Sequence, residues 1–157
     1  MTNPKRELLR HGLATLAYRA GKTLRGATPE FADFDGAGKT PRQILAHMSD
    51  VLDWGLTVAR GDQKWQSAEP QSWDLEVERF FTSLAAFDAF LASENPLGAA
   101  AEKLLQGPIA DCLTHTGQLA MLRRLAGCPM RGENYFVAEV AVGRVGIEQT
   151  APAKTFA

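Results

Sequence analysis

Apolar residues recur at steps of three and four along most of the chain, the period of a helix with one buried face. Leu9, Leu13, Leu16, Ala17, Ala20 and Leu24 carry this pattern from Pro4 to about Arg25, with His11 and the charged residues on the solvated side. Gly26 to Lys39 is rich in Gly, Asp and Pro and reads as a loop. Thr40-Pro41 then starts a second helix, because the hydroxyl caps free amides and proline suits the first turn; it runs to about Arg60 and stops at Gly61. Ser72 is the N-cap expected for a third helix, on which Trp73, Val77, Phe80, Phe81, Leu84, Phe87 and Leu91 share a stripe until Asn95-Pro96. A short helical piece is expected around Ala99 to Gln106, then an interruption at Gly107-Pro108. Ile109 to Ala126 follows as a fourth long helix, apolar almost all round and therefore expected at the centre. The segment 127–157 is expected to be irregular, with one short helix near Tyr135 to Val140.

These periods predict a single all-α domain over 1–157, with core helices at about 4–25, 41–60, 73–93 and 108–126. Loops of about 12 to 15 residues after the first two helices are long for an up-and-down arrangement, so a four-helix bundle with a crossover connection is expected. A chain of 157 residues buries enough surface to fold without a staple, which makes any metal functional rather than structural. Seventeen Lys and Arg against eighteen Asp and Glu give a net charge of -1, so neither nucleic acid nor a membrane surface is expected as a partner. Charges occupy the N-terminal stretch where a signal peptide has its apolar run. Cys112 and Cys128, on or just after one helix, stand about 24 Å apart at helical rise, beyond disulfide reach. A reduced, cytoplasmic setting is the expectation.

Candidate chemistry is sparse. Gly36 to Thr40 ends in the GKT of a phosphate-binding loop, but Asp33 stands where that motif needs its first glycine, and no buried strand precedes it. It reads instead as a glycine turn leading into a helix cap. On the second helix His47 shares the stripe of Ile44, Met48 and Val51; on the fourth, Asp111 and His115 lie about 40° apart, on the face continued by Leu119 and Leu122. All three are therefore expected to face the core, where a carboxylate costs several kcal/mol unless paired or metal-bound. Taken singly, His47 reads equally as a core residue and Asp111 with His115 as an ion pair. Jointly they supply two imidazoles and one carboxylate, a facial ligand set with open positions. Asp88, on the apolar stripe of the third helix, is a pocket candidate or the partner of an arginine. Cys112 is a fourth ligand, a nucleophile or a small buried hydrophobe. Trp54, Trp65, Trp73 and Tyr135 are aromatic candidates for a pocket wall.

Leu45-Ala46-His47-Met48 with Trp54, and His115-Thr116-Gly117-Gln118-Leu119 with Leu125-Ala126-Gly127, resemble the DinB-like (DinB/YfiT-like) superfamily of bacterial four-helix proteins, over Pro41 to Gly146. The resemblance implies a right-handed crossover bundle, a homodimer, and a divalent metal held by one histidine of the second helix and a His-x-x-x-His pair of the fourth. Those positions are His47, Asp111 and His115 here, with Asp111 standing where the common pattern has histidine. A carboxylate makes such a site harder and more anionic; Zn, Ni or Fe is the expected metal. The function implied is a metal-dependent S-transferase, or thiol-assisted isomerase, that joins an external low-molecular-weight thiol to a small-molecule electrophile. A metal-dependent hydrolase and a non-catalytic stress protein that binds metal or a small ligand are the alternatives.

Overall fold

A computed structural model describes residues 3–36 and 38–156, and Ala37, within the sequence stretch Gly36 to Thr40, lies outside the described residues. The described chain is all-helical, with a single isolated β-bridge between Glu133 and Thr155. Its helices are α1 (Pro4–Leu24), α2 (Pro41–Ala59), α3 (Trp73–Ala92), α4 (Ala101–Leu104) and α5 (Ala110–Leu125), with short 3₁₀ turns at Pro29–Asp33 and Tyr135–Val137. No described helix is long and apolar enough to cross a membrane.

The helix starts follow from local chemistry. Asn3 caps α1, its side chain accepting from the Lys5 and Arg6 amides ahead of Pro4. Thr40 and Gln43 form a reciprocal capping box on α2, each side chain accepting from the other's backbone N–H. Ser72 occupies the N-cap position of α3 without a side-chain bond, and the buried Glu76 carboxylate instead accepts from the Gln71 amide at 2.8 Å.

The expected interruption at Gly107-Pro108 is not a break. Backbone dihedrals stay helical from α4 into α5 through a π segment, Leu105–Ile109, in which the Ala110 N–H reaches back five residues to the Leu105 carbonyl. A proline inside an α-helix removes one amide and drives its ring against the carbonyl four residues earlier; the wider turn accommodates both defects. The ring is accepted on the far side because Gly55 of α2 has no side chain. A Cβ built there stands 2.8 Å from Pro108 Cβ and 3.0 Å from Phe87 Cε1.

Helices α1 and α2 each pack against both α3 and α5. Between them lie Leu13, Leu16, Leu45, Met48, Leu52, Phe80, Phe87, Ile109 and Leu119, all buried. Helix α5 is not central, as its apolar circumference suggested. It buries one face, Cys112, Thr116, Leu119, Leu122 and Arg123, and leaves Met121 and Leu125 exposed at 53% and 59%. The buried Arg123 guanidinium donates to the carbonyls of Thr23, Arg25 and Cys128, joining the C-terminal ends of α1 and α5. The largely irregular C-terminal segment is pinned to α1 by Glu133, which accepts from Tyr18 Oη and Lys22 Nζ, each at 2.7 Å.

The two α2/α5 glycines differ in what surrounds them, so the same substitution should act with opposite sign. Gly55→Ala is expected to destabilise by about 1–3 kcal/mol through overpacking against Pro108 and Phe87. Gly117→Ala, with nothing within 4 Å of its added Cβ, should stabilise by about 0.5–1 kcal/mol through helix propensity. Urea unfolding midpoints of the two variants and wild type check the contrast.

Candidate metal centre

Helices α2 and α5 run antiparallel along their shared seam: Gly55 meets Pro108, the Cys112 thiol reaches the Met48 carbonyl at 3.5 Å, and Ile44 and Leu122 face one groove. This register sets His47 opposite His115, with ring centroids 5.0 Å apart and planes at 86°. Asp111 lies one turn before His115, and its Oδ2 is 3.5 Å from His115 Nε2. One ligand atom from each of His47, Asp111 and His115 lies within 4.8 Å of the other two, the spacing of donors around one ion.

The three residues meet at the surface rather than in the interior. Asp111 has 47% of its side chain exposed, His115 and His47 are half-buried, and the buried face of α5 lies one residue on, at Cys112 and Thr116. One residue is about 100° of helix rotation, which carries Asp111 from the expected core position to the rim. Its carboxylate is therefore hydrated, and no buried partner is demanded of it.

The donor set fits a divalent cation. His115 Nδ1 is 2.7 Å from Gln118 Oε1; with Nδ1 donating to that amide oxygen, Nε2 faces the Asp111 carboxylate. The 3.5 Å between Nε2 and the carboxylate suits a direct ion pair and equally two ligands sharing one cation. His47 is held below the ordinary histidine pKa chiefly by burial, then by its neighbour His115, with Asp111 pulling upward and Lys39 pushing further down. It stays neutral, and able to ligate, to lower pH than an exposed histidine.

Other predicted residues are placed elsewhere. Asp88 is buried in a two-bond ion pair with Arg10, at 2.9 and 3.1 Å, away from the histidines. Cys112 is fully buried, and burial pushes its thiol pKa up, which suits packing and neither ligation nor nucleophilic attack. Tyr135 packs edge-on against Tyr18 and under the Arg19 guanidinium, and Trp73 packs edge-on against Phe31 in the core. Trp65 is the aromatic ring beside the site, its centroid 5.8 Å from that of His47, and Trp54 stands behind it at 6.3 Å. Gln118 was the functional side chain not singled out from the residues, although its position three residues after His115 puts both on one helix face.

From the histidines a groove of about 850 Å³ continues along the same seam. Ile44 and Leu122 form its floor, Met121 and Leu125 one edge, and Gly38-Lys39 its far end. No protein-family model, curated protein or solved structure matches the chain.

Two measurements test the centre. Elemental analysis after loading should find about one divalent ion per chain in wild type and in Asp111→His, and none in the His47→Ala/His115→Ala double variant; Gln118→Ala should bind about 10–100-fold more weakly by losing the orienting bond. Zinc affinity followed over roughly pH 5 to 8 should fall on acidification as imidazole protonates. Because Lys39 helps to depress the His47 pKa, Lys39→Gln should raise that pKa and move the fall to higher pH; an unmoved or downward-moved profile would contradict the assignment.

Proposed function

We propose that the chain is a DinB-like, metal-dependent thiol S-transferase or thiol-assisted isomerase acting on small electrophiles. The observation that carries this reading is the gathering of His47, Asp111 and His115 donor atoms within 4.8 Å of one another at the mouth of an apolar groove. The packing of α1 and α2 each against α3 and α5 supports the corresponding four-helix bundle with a crossover connection.

His47, Asp111 and His115 would hold a Zn, Ni or Fe ion, whose charge favours thiolate over thiol, or hydroxide over water, near neutral pH. The protein's own groups do the remaining work. Gln118 fixes the ring of His115 through Nδ1, so Nε2 stays aimed at the shared site. Trp65 covers one side of His47 and limits water there, while the exposed flank at Asp111 leaves a route for an external thiol. An electrophile lying along Ile44 and Leu122 would be held against the reacting end of the groove without a protein nucleophile. The accessibility of Asp111 also favours a second reading, metal-assisted hydrolysis, because water reaches the same position.

The readings separate by assay. Metal-loaded protein offered a thiol panel with a small electrophile should give thiol-dependent turnover, reduced to background in His47→Ala and retained in Cys112→Ala. Turnover of esters or amides with no thiol present would favour hydrolysis. Stoichiometric metal without turnover on either panel would leave a binding protein.

A further inference from the structure

The groove beside the histidines is long, and its charge is one-sided. From His115 to Leu125 it follows α5 for about 15 Å. Ile44 and Leu122 line it as buried aliphatics, while Met121 and Leu125 are left more than half exposed at its edge. Beside Met121, Gly117 faces open space, so the groove is wide there. Among the described residues no carboxylate lines it, Asp111 standing just outside its histidine end. Its one ammonium is Lys39, which is exposed and in no ion pair among the described residues. Gly38 holds Lys39 at this end, in a turn with a φ of +77° that favours glycine and is closed by its N–H to Asp35 Oδ1 at 3.3 Å.

We propose that this groove binds an apolar small molecule carrying a single anionic group remote from its reacting end, with the alkyl or aryl body on Ile44 and Leu122 and the anion at Lys39. A volume of about 850 Å³ lies within the range of small-molecule sites and holds such a ligand with room for a second reactant. An aliphatic wall gives affinity without orientation; the lone ammonium supplies direction, placing the opposite end of the ligand at His47 and His115. Along the wall between Lys39 and the histidines a cationic ligand meets no carboxylate, the nearest being Asp111 beyond His115. That the ligand is the electrophile of a thiol transfer rests on the function proposed above, whereas its binding does not and is measured without metal.

Decanoate, 1-decanol and decyltrimethylammonium, titrated calorimetrically into metal-free protein, isolate body from charge. Decanoate should bind saturably and tighter than decanol, with the cation weakest. Lys39→Gln should weaken decanoate about fivefold and leave decanol unchanged, the effect of one partly solvated ion pair. Gly117→Leu, placed where an added Cβ meets no neighbour within 4 Å, should fold as judged by circular dichroism and retain zinc, yet lose decanoate binding at least tenfold. Equal binding of the three probes to metal-free protein, or unchanged decanoate affinity in either variant, would overturn the proposal. So would a dimer that dissociates in Gly117→Leu while decanoate fails to bind wild type, since a second copy of the chain would then fill the groove. Failure of the metal centre would appear separately, as absent zinc with decanoate binding intact.

Discussion

The contact between Gly55 and Pro108 sets the geometry on which everything functional in this chain depends. Proline inside a helix has no amide to give and a ring that needs space, and the two needs are met from opposite sides. The π segment widens the helix around Pro108, while Gly55 removes the side chain that would meet the ring. Seven residues before Gly55, the Met48 carbonyl receives the Cys112 thiol, and one residue further back His47 faces His115. A shift of the seam by one turn, about 5.4 Å, would separate the two imidazoles beyond any shared ligand. The π turn at 105–109, seated against Gly55, is thus the means by which two helices keep one register.

Charged groups then hold the remaining elements around this seam. Arg123 gives its donors to carbonyls at the ends of α1 and α5, where the helix dipoles concentrate negative charge. Arg10 joins α1 to α3 through Asp88, and Arg79 of α3 reaches Asp50 and Asp53 of α2. Buried ion pairs carry a desolvation cost comparable to their attraction, so their main effect here is positional: each admits one pairing and penalises others. Glu133 does the same for the C-terminal segment, which it ties to α1 through Tyr18 and Lys22.

How far the sequence shows this differs by element. Helix ends are legible because capping is local: Asn3-Pro4, Thr40-Pro41 with Gln43, and Gly61 act within a few residues of themselves. The reading of Gly107-Pro108 as a stop failed because the residue that tolerates the proline, Gly55, lies on another helix. The inward direction of α5 was misjudged for a related reason. With Ala120, Met121 and Leu125 on the outer side, the helix has no sharp apolar face, and the polar Thr116 and Arg123 are the ones buried. Asp111 and His115 nevertheless stayed together, since a four-residue spacing is fixed by the helix whichever way it faces. Lys39 and Gly117 fall in the GKT and HTGQL stretches, yet their place on the groove is not legible there, because it has no meaning until α2 and α5 are laid side by side.

Placing His47, Asp111 and His115 on the rim also separates folding from ligation. The aliphatic and aromatic core between the helices is complete without them, and Asp111, in contact with water, asks for no buried partner. A cation held there would stabilise the fold only by mass action, in proportion to its concentration over its dissociation constant, and would not be required to form it. Structural ligand sets are closed by protein on every side, whereas here one flank is open beside Asp111 and another side continues into the groove. An arrangement that needs no metal to fold and leaves its ligands reachable can exchange what it binds. Its demands on the chain are then those of positioning, which the Gly55–Pro108 contact and the Gln118 hydrogen bond meet from outside the ligand set itself.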